Sequence, residues 1–385
     1  MMNTITQALD QTTMKQWFEQ LHRTPELSMH ENKTADYIAS ILKNLGYEVV
    51  PGVGKHGIVA SLTVGDSQKA IGLRADFDAL PIQEVNTLPY KSEVPGVSHL
   101  CGHDAHSAML LGAAKYLAEK RNFNGTVRLI FQPGEETMQG APAMIEDGLF
   151  ERFPVDAVFG MHNMPGLEAG KLYFTPGTTM AAVDNWEIEI TGKGGHGSMP
   201  ELSIDPVVAG SSLVMALQTI VARNVSPAHK AVVTVGAFLA GNAGNVIAHS
   251  AILRLSIRTT TPQDREMVLH NVRRLAASQS EAFGCTAEIR TGVPGAVLIN
   301  DPEETEKAAE IARKTFGAEN VICPGPTYLG SEDFAFMLQK KKGTYCFVGN
   351  GDTKMVHHPE YVFDQNNLSI GAAYWVALTE NYLSK

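Results

Sequence analysis

In the sequence 125-GTVRLIFQPGEE-136, a short apolar run passes directly into two carboxylates. Residues 125–131 are rich in β-branched and aromatic side chains and begin at a glycine, which predicts a buried strand. Glu135 and Glu136 then lie where this strand ends. An acidic pair alone is as often a solvated pair before a helix as part of a site, so its role depends on what the chain brings beside it.

Upstream, the sequence 98-SHLCGHDAH-106 concentrates more metal-binding side chains than any other part of the chain. The alanine-rich residues 107–119 have helical spacing, which predicts a loop that enters a helix. A helix N-terminus stabilises negative charge, so we expect Cys101 to be a thiolate. For Cys101 alone a buried structural thiol is the simpler interpretation. A Cys-x-His-x-x-His group beside an aspartate instead favours a zinc-like ion.

Two further predicted strands also end in polar side chains. Residues 70–74 lead into Asp76 and Asp78, and residues 155–160 lead into His162. Strands alternate with helices through this part of the chain, which predicts an α/β fold with a mostly parallel, doubly wound sheet. Ligands of such sheets bind outside the carboxyl ends of the strands, so these side chains are expected to meet at one place.

The pattern changes near residue 185, where half-exposed strands begin to alternate apolar and polar residues. The predicted order of elements in residues 185–294 is β-α-β-β-α-β, which is the ferredoxin-like unit. The first pattern returns afterwards. We therefore predict a catalytic, metal-binding domain made of residues 1–184 and 295–385, interrupted by an inserted lid or dimerisation domain.

The composition excludes several classes of function. The net charge is −10, and the only dense basic run is residues 340–342, which argues against a nucleic-acid partner. The four cysteines are widely spaced, as in proteins of a reducing cytoplasm rather than in a disulfide framework. Neither a signal peptide nor the ~18 uninterrupted apolar residues of a membrane helix is evident, so a cytoplasmic location without a membrane partner is expected.

The candidate metal ligands are more numerous than one tetrahedral ion would take. They are Cys101, His103, Glu136, His162 and one of His357 and His358. Two ions would satisfy this set, and Glu135 would remain available to hold a proton. Paired metal ions that activate a water, with a carboxylate that moves its proton, are the parts of a hydrolase.

Most of the other histidines have no partner at a metal-binding spacing and are expected to be surface or satisfied core residues. They are His22, His30, His56, His229, His249 and His270. His196 differs, because it lies in the glycine-rich turn 192-GKGGHG-197, where the backbone can approach a ligand closely. The alternative for His196 is a turn residue whose glycine neighbours serve the chain geometry only.

Five motifs in this order resemble the amidohydrolases that include hippurate hydrolase, N-acyl-amino-acid amidohydrolases and the plant auxin-conjugate hydrolases. The motifs are 73-LRADFDALP-81, 101-CGHDAH-106, 132-QPGEE-136, 192-GKGGHG-197 and 330-GSEDF-334, and the resemblance covers essentially the whole chain.

The resemblance implies a dinuclear site in which Cys101 bridges the ions and Glu135 is the general base. His103, Glu136, His162 and a late histidine would complete the ligation, and the family's His-x-Pro motif selects His357. Asp76, Asp78 and His106 are expected to support these ligands. The resemblance also implies a homodimer formed through the inserted domain, or a tetramer of such dimers.

The chain departs from the family pattern in the inserted domain. Residues 245–248 read NVIA where the family has NVIP, and residues 255–258 read LSIR where the family has GTxR. Asn245 and Arg258 persist, so both are expected to contact the substrate.

We therefore expect a metal-dependent hydrolase that cleaves the amide bond of a small N-acyl amino acid, hippurate-like or N-acetylated. It would use two divalent ions per subunit, chosen from manganese, zinc, cobalt and nickel, and His196 would stabilise the oxyanion. Two alternatives stay open: a thiol hydrolase with Cys101 as nucleophile, and a binding protein of the same fold that has lost turnover.

Overall fold

The computed structural model describes residues 4–384 and divides into two compact units. The first unit contains the chain up to Thr179, Ile299–Thr327 and the chain from Asp333 onward. The second contains Met180–Leu298 and Tyr328–Glu332. The predicted insertion, residues 185–294, lies within this second unit.

The helices of the described residues are, in chain order, α1 (Thr4–Ala8), α2 (Gln11–Arg23), α3 (Asn32–Asn44), α4 (His103–Lys120), α5 (Gly140–Glu146), α6 (Leu149–Arg152), α7 (Pro206–Asn224), α8 (Pro262–Ala282), α9 (Pro302–Phe316), α10 (Phe334–Leu338) and α11 (Asn367–Tyr382). Short 3₁₀ turns lie at Pro200–Leu202 and Ala318–Asn320.

The strands are β1 (Glu48–Val53), β2 (Gly57–Val64), β3 (Ala70–Asp76), β4 (Gly125–Gln132), β5 (Ala157–Met164), β6 (Leu172–Phe174), β7 (Gly177–Met180), β8 (Ala182–Thr191), β9 (Gly195–His196), β10 (Ala231–Ala240), β11 (Val246–Ile247), β12 (Ser250–Thr259), β13 (Thr286–Thr291), β14 (Leu298–Asn300), β15 (Val321–Ile322) and β16 (Gly343–Gly349).

The first unit is built on an eight-stranded sheet of order β1-β2-β4-β3-β5-β16-β6-β15. Its centre, β4-β3-β5-β16, is parallel, and antiparallel pairs lie toward the edges. Every residue of β3, β5 and β16 is buried, as expected for strands covered on both faces. The predicted α/β fold with a mostly parallel sheet is confirmed.

Two predicted boundaries in the first unit are wrong. The helix after the histidine cluster begins at His103 rather than near residue 107, because its first turn is polar and carries no apolar periodicity although it is buried. Strand β5 continues past residue 160 to Met164, where it pairs with the end of β16. Both changes put a candidate ligand, His103 or His162, inside a regular element.

The second unit has a four-stranded antiparallel sheet of order β10-β12-β8-β13. Helices α7 and α8 pack on it, which confirms the predicted ferredoxin-like order of elements. Both helices start with proline in the first turn after a polar cap: Asp205 accepts from the N–H of Val207, and Thr261 accepts from that of Asp264.

Among the described residues, α7 is the only helix that is long and apolar enough to cross a membrane by length and composition. A third of its most apolar stretch is buried. Leu213, Leu217 and Ile220 of this helix lie in the apolar core of the second unit.

Candidate metal centre

The predicted ligands of the first unit fall into two overlapping groups. Ligand atoms of Cys101, His103 and His162 lie within 4.8 Å of one another, and so do those of Cys101, Glu136 and His357. Cys101 is common to both groups, which is the arrangement that a bridging ligand requires. His357 rather than His358 belongs to the second group. The Nδ1 of His358 instead accepts a local hydrogen bond from the N–H of Glu360.

The chain turns sharply at Gly102 to bring Cys101 and His103 together. Gly102 has a φ of +93° and caps α4, so His103 lies in the first turn of that helix. A β-carbon at this position would lie 2.2 Å from Nδ2 of Asn163 and 2.8 Å from the hydroxyl of Tyr361. Only glycine satisfies both the dihedral angle and the available space.

His103 and His162 are each oriented by a hydrogen bond from Nδ1. In His162, Nδ1 donates to the backbone oxygen of Asn163, and in His103 it donates to Asp78 Oδ1 at 2.9 Å. The Nε2 atoms therefore point away from these partners, and each offers a lone pair to an ion when its ring is neutral. His162 Nε2 lies 3.3 Å from Cys101 Sγ. A hydrogen bond on one nitrogen is what fixes the ligating tautomer in known metal sites.

His106 is oriented differently and uses both nitrogens within the protein. Its Nδ1 lies 2.6 Å from Asp76 Oδ1, and its Nε2 accepts from the backbone and side-chain N–H groups of Asn163, both at 3.1 Å. This leaves it no lone pair for an ion, in keeping with the supporting role predicted for it.

Asp76 and Asp78 support the cluster from the end of β3. Asp78 binds His103 through one oxygen, while its other oxygen accepts from the N–H of Glu136 at 3.0 Å. Asp76 binds His106 through Oδ1, and its Oδ2 accepts a hydrogen bond from Arg74 Nη1 at 2.6 Å.

Arg74 extends this network away from the cluster. The guanidinium is fully buried and also reaches Gln132 at 2.8 Å and Asp333 at 3.3 Å. Asp333 in turn accepts from the side chain of Gln132 at 2.6 Å and from the N–H of Ala141 at 2.9 Å. The motifs 73-LRADFDALP-81 and 330-GSEDF-334 thus meet in a buried ion-pair network behind the candidate site.

Burial and charge set the protonation of the cluster. The pKa of His162 is lowered well below its usual value, mainly by burial and secondly by the nearby ring of His106, so the His162 ring is neutral. Burial would also lower the pKa of His103, but Asp76 and Cys101 outweigh it and raise that pKa well above its usual value. For Asp76, burial would raise the pKa, but Arg74 and His103 hold it well below its usual range.

The expected thiolate at Cys101 is wrong for the chain without metal. Burial, followed by repulsion from Glu136, raises the pKa of the thiol well above its usual value. Desolvation of a charge outweighs the attraction of a helix terminus at a fully buried site. A bound cation would oppose both effects and favour ionisation of Cys101.

The atoms of the cluster fit a divalent metal. Among residues 4–384, Nε2 of His103 and Oε1 of Glu136 are buried without a hydrogen-bond partner. Glu136 Oε1 lies 3.2 Å from Nε2 of His357 without hydrogen-bond geometry. Buried polar atoms that lack partners are costly, and imidazole, thiolate and carboxylate are the ligand types of zinc-like ions.

Glu135 lies beside the ligands and is buried. Its carboxylate is within 4.8 Å of ligand atoms of His103 and Glu136. The structure therefore brings the predicted general base and the predicted metal ligands to the same edge of the sheet, next to the ends of β3, β4 and β5.

His196 occupies an exposed turn of the second unit. Its Nδ1 accepts from the backbone N–H of Ser198 at 3.1 Å and from that residue's hydroxyl at 2.8 Å, so in the neutral ring the proton is on Nε2. The turn pairs with β11, and the N–H of Gly197 donates to the carbonyl of Asn245. An open pocket of about 720 Å³ borders His196, Asn242 and Val246.

Arg258 lies elsewhere in the second unit. Ser250, the first residue of β12, pairs with Thr191, which directly precedes the glycine-rich turn. Arg258 lies near the other end of this strand. A strand rise of about 3.3 Å per residue separates Ser250 and Arg258 by about 26 Å. Arg258 donates to the carbonyl of Leu329 at 3.3 Å and to the hydroxyl of Ser331 at 3.4 Å. Within one chain's second unit, His196 and the predicted substrate contact Asn245 are therefore neighbours, whereas the other predicted substrate contact, Arg258, lies at the opposite end of β12.

Comparison with known proteins identifies the family. Residues 72–381 match the peptidase family M20/M25/M40. The chain belongs to this family.

The relatives of this M20 protein include amidohydrolases. It is 44% identical to a hippurate hydrolase of Campylobacter jejuni over 383 residues, which cover 99% of this chain and 100% of that protein. It is 39% identical to an N-acetyl-L-cysteine deacetylase of Bacillus subtilis, covering 92% of this chain and 84% of the relative. A crystal structure of a dinuclear metal-binding M20 peptidase from B. subtilis superposes with a TM-score of 0.84 at 33% identity, covering 97% of this chain and 98% of that one.

These comparisons confirm the predicted family and the enzyme class, an amidohydrolase that acts on small-molecule amides. They also support a site for divalent metal ions. Residues that the sequence reasoning missed are Asn163 and Tyr361, whose hydroxyl donates to Asn163 Oδ1 at 2.7 Å while Asn163 Nδ2 donates to the carbonyl of Cys101 at 2.7 Å. The only local signal was that Asn163 follows a candidate ligand.

Proposed function

We propose that this M20 enzyme hydrolyses the amide bond of N-acyl amino acids, with hippurate-like and N-acetylated compounds as its substrates. The observation that carries the proposal is the buried Glu135 within 4.8 Å of ligand atoms of His103 and Glu136, because a binding protein has no use for a second carboxylate beside its metal ligands. The names of the hippurate hydrolase and N-acetylcysteine deacetylase relatives support the substrate class.

The proposed cofactor is a pair of divalent ions, held by the two overlapping groups that share Cys101. His103 and His162 would hold one ion, and Glu136 and His357 the other. Bound ions of this kind supply Lewis-acid chemistry: they polarise a carbonyl group and lower the pKa of a water molecule.

The side chains would then perform the proton transfers. A carboxylate oxygen of Glu135 takes a proton from the attacking water as the new C–O bond forms. The same oxygen delivers that proton to the amide nitrogen as the C–N bond breaks, which yields a carboxylate and a free amino acid. The Nε2–H of His196 would donate a hydrogen bond to the developing oxyanion.

We propose further that the enzyme is a homodimer and that His196 serves the active site of the other subunit. The length of β12 supports this arrangement, because Arg258 lies about 26 Å along the strand from Ser250, and the glycine-rich turn that carries His196 begins beside Ser250. If Arg258 and His196 contact the same molecule, they come from different copies of the chain.

The thiol-hydrolase alternative is disfavoured by the environment of Cys101. A fully buried thiol whose pKa is raised is a poor nucleophile. A chelator would distinguish the two enzymes, since it abolishes a metal-dependent activity and spares a thiol-dependent one.

The test is a substrate screen with defined metals. Chelator-stripped protein would be reloaded with manganese, zinc, cobalt or nickel and assayed for amino-acid release from hippurate, N-acetylcysteine and longer acyl amino acids. We expect turnover of at least one N-acyl amino acid that needs added metal. No turnover with any of the metals, or turnover that survives complete removal of metal, would contradict the proposal.

A further inference from the structure

We propose that Glu31 is a positioning residue for the two active-site glutamates, and that its carboxylate sets the conformation of the 133–136 loop. This inference rests on the proposed function of Glu135 and Glu136. Glu31 lies far away in the sequence, at the start of α3, and plays no part in the mechanism described above.

Glu31 makes a direct contact with the loop. Its side chain is fully buried, and Oε1 accepts from the N–H of Gly134 at 2.8 Å and from that of Met29 at 2.8 Å. Although Glu31 is the N-cap residue of α3, its side chain makes no capping hydrogen bond to that helix. The carboxylate is therefore committed to the loop rather than to its own helix.

A second carboxylate fixes the other side of Glu135. Asp78 Oδ2 accepts from the N–H of Glu136 at 3.0 Å and from the hydroxyl of Ser28 at 2.7 Å. The peptide N–H groups immediately before and after Glu135 are thus held by two acidic side chains. Because the backbone is anchored on both sides, the direction of the Glu135 side chain is restricted.

The segment 28–31 that supplies these contacts is itself held in a strained conformation. Met29 has a φ of +62°, which is unfavourable for a residue with a side chain. Its carbonyl accepts from Lys55 Nζ at 2.7 Å and from His56 Nε2 at 3.1 Å, and its sulfur lies where a β-carbon on Gly134 would be only 2.5 Å away. Such strain persists only where the surroundings enforce it, which is common at functional sites.

The surroundings of Glu31 also suggest the informative substitution. Burial and then repulsion from Asp78 raise the pKa of Glu31 to about 7. Glutamine is the same size and still offers an oxygen to the two N–H groups, but carries no charge to desolvate. The contact to the loop therefore needs an acceptor at this distance rather than a negative charge.

The experiment compares Glu31→Gln, Glu31→Asp and Glu31→Ala with Glu26→Ala as a matched control. Glu26 is on the same segment and also accepts two hydrogen bonds, from the N–H and hydroxyl of Thr34 at 2.8 and 2.9 Å, but these cap α3 and do not touch the loop. Metal affinity would be measured by calorimetric titration of stripped protein with zinc, and hydrogen exchange of residues 134–136 would be followed without metal. Turnover of hippurate would be measured separately.

We expect Glu31→Ala and Glu31→Asp to weaken metal affinity by about 10- to 100-fold, the usual effect of removing a group that orients a ligand, and to speed hydrogen exchange in the loop. Glu31→Gln should stay within about threefold of wild type, and Glu26→Ala should lower stability without changing either readout. If Glu31→Ala does not fold, the comparison of Glu31→Gln with Glu31→Asp is decisive. Aspartate keeps the negative charge, but its shorter side chain cannot reach the N–H of Gly134.

The inference is overturned if folded Glu31→Ala or Glu31→Asp binds zinc and exchanges like wild type. It is also overturned if Glu31→Gln is as impaired as Glu31→Asp, or if Glu26→Ala is as impaired as the Glu31 variants. Zinc affinity and hydrogen exchange need no substrate, so a wild-type protein that hydrolyses no N-acyl amino acid would refute the proposed function and leave this test intact.

Discussion

Replacing His22 should change how the stability of the protein depends on pH. His22 is 4% exposed and lies between two buried carboxylates, with Nδ1 2.7 Å from Asp104 and Nε2 3.3 Å from Glu84. Burial alone would lower the pKa of His22, but the hydrogen bonds with Asp104 and Glu84 outweigh it and raise the pKa from 6.5 to about 9. The folded protein therefore binds this proton more tightly than the unfolded chain does.

The sign and size of the effect follow from linkage. A pKa that is higher in the folded state stabilises the protein fully below pH 6.5, and that stability is lost as the pH rises through 9. The contribution of His22 to the free energy of unfolding works out at about 3 kcal/mol at pH 6, about 1.4 kcal/mol at pH 8 and about 0.4 kcal/mol at pH 9.

The assay is urea unfolding at these pH values with a chelator present, so that metal binding adds no pH dependence of its own. The variant is His22→Gln, and the matched control is His30→Gln, which changes an exposed histidine close by. The difference in unfolding free energy between wild type and His22→Gln should shrink by about 3 kcal/mol from pH 6 to pH 9. A difference that is constant over this range, or that grows with pH, would refute the reasoning.

Three more predictions concern the site. Zinc binding to stripped protein at pH 7 should release protons, because the pKa values of Cys101 and His103 are both raised in the metal-free chain; binding enthalpies that do not depend on the ionisation enthalpy of the buffer would contradict this. Gly102→Ala should weaken zinc affinity and destabilise the fold by several kcal/mol, whereas Gly96→Ala, which also has a positive φ but open space around it, should cost only about 1 kcal/mol. His196→Ala should lose about 100-fold in turnover and still bind zinc normally. Mixing His196→Ala subunits with Glu135→Gln subunits should restore up to about a quarter of wild-type activity, because one site of each mixed dimer then has both residues intact. No recovery after confirmed subunit exchange would show that His196 does not act on the partner subunit's site.

The sequence was most informative where chemistry and regular structure coincide. Strands that end in carboxylates or histidine must bring those groups together if they are parallel neighbours, and β3, β4 and β5 do so. The fold of the inserted unit was also predictable, because the order of its helices and strands allows few topologies.

The sequence was least informative about polar residues inside regular elements and about contacts between distant segments. The first turn of α4 was predicted as part of a loop, and β5 was predicted to end at residue 160, because buried polar residues there break the apolar pattern. Tyr361 bonds Asn163 across 198 positions of sequence, and Glu31 bonds Gly134 across 103, so neither contact leaves a local signal. The supporting groups of a site are therefore harder to predict than its ligands.

Glu135 and Glu136 are adjacent but are expected to have different roles, and metal analysis of Glu135→Gln and Glu136→Gln separates these roles. Metal content per subunit and turnover of hippurate would be measured on the same preparations after gel filtration. Glu135→Gln should keep the metal content of the wild type and lose at least ~100-fold in turnover, whereas Glu136→Gln should lose metal as well as activity. Equal loss of metal in both variants, or normal turnover by Glu135→Gln, would contradict the account.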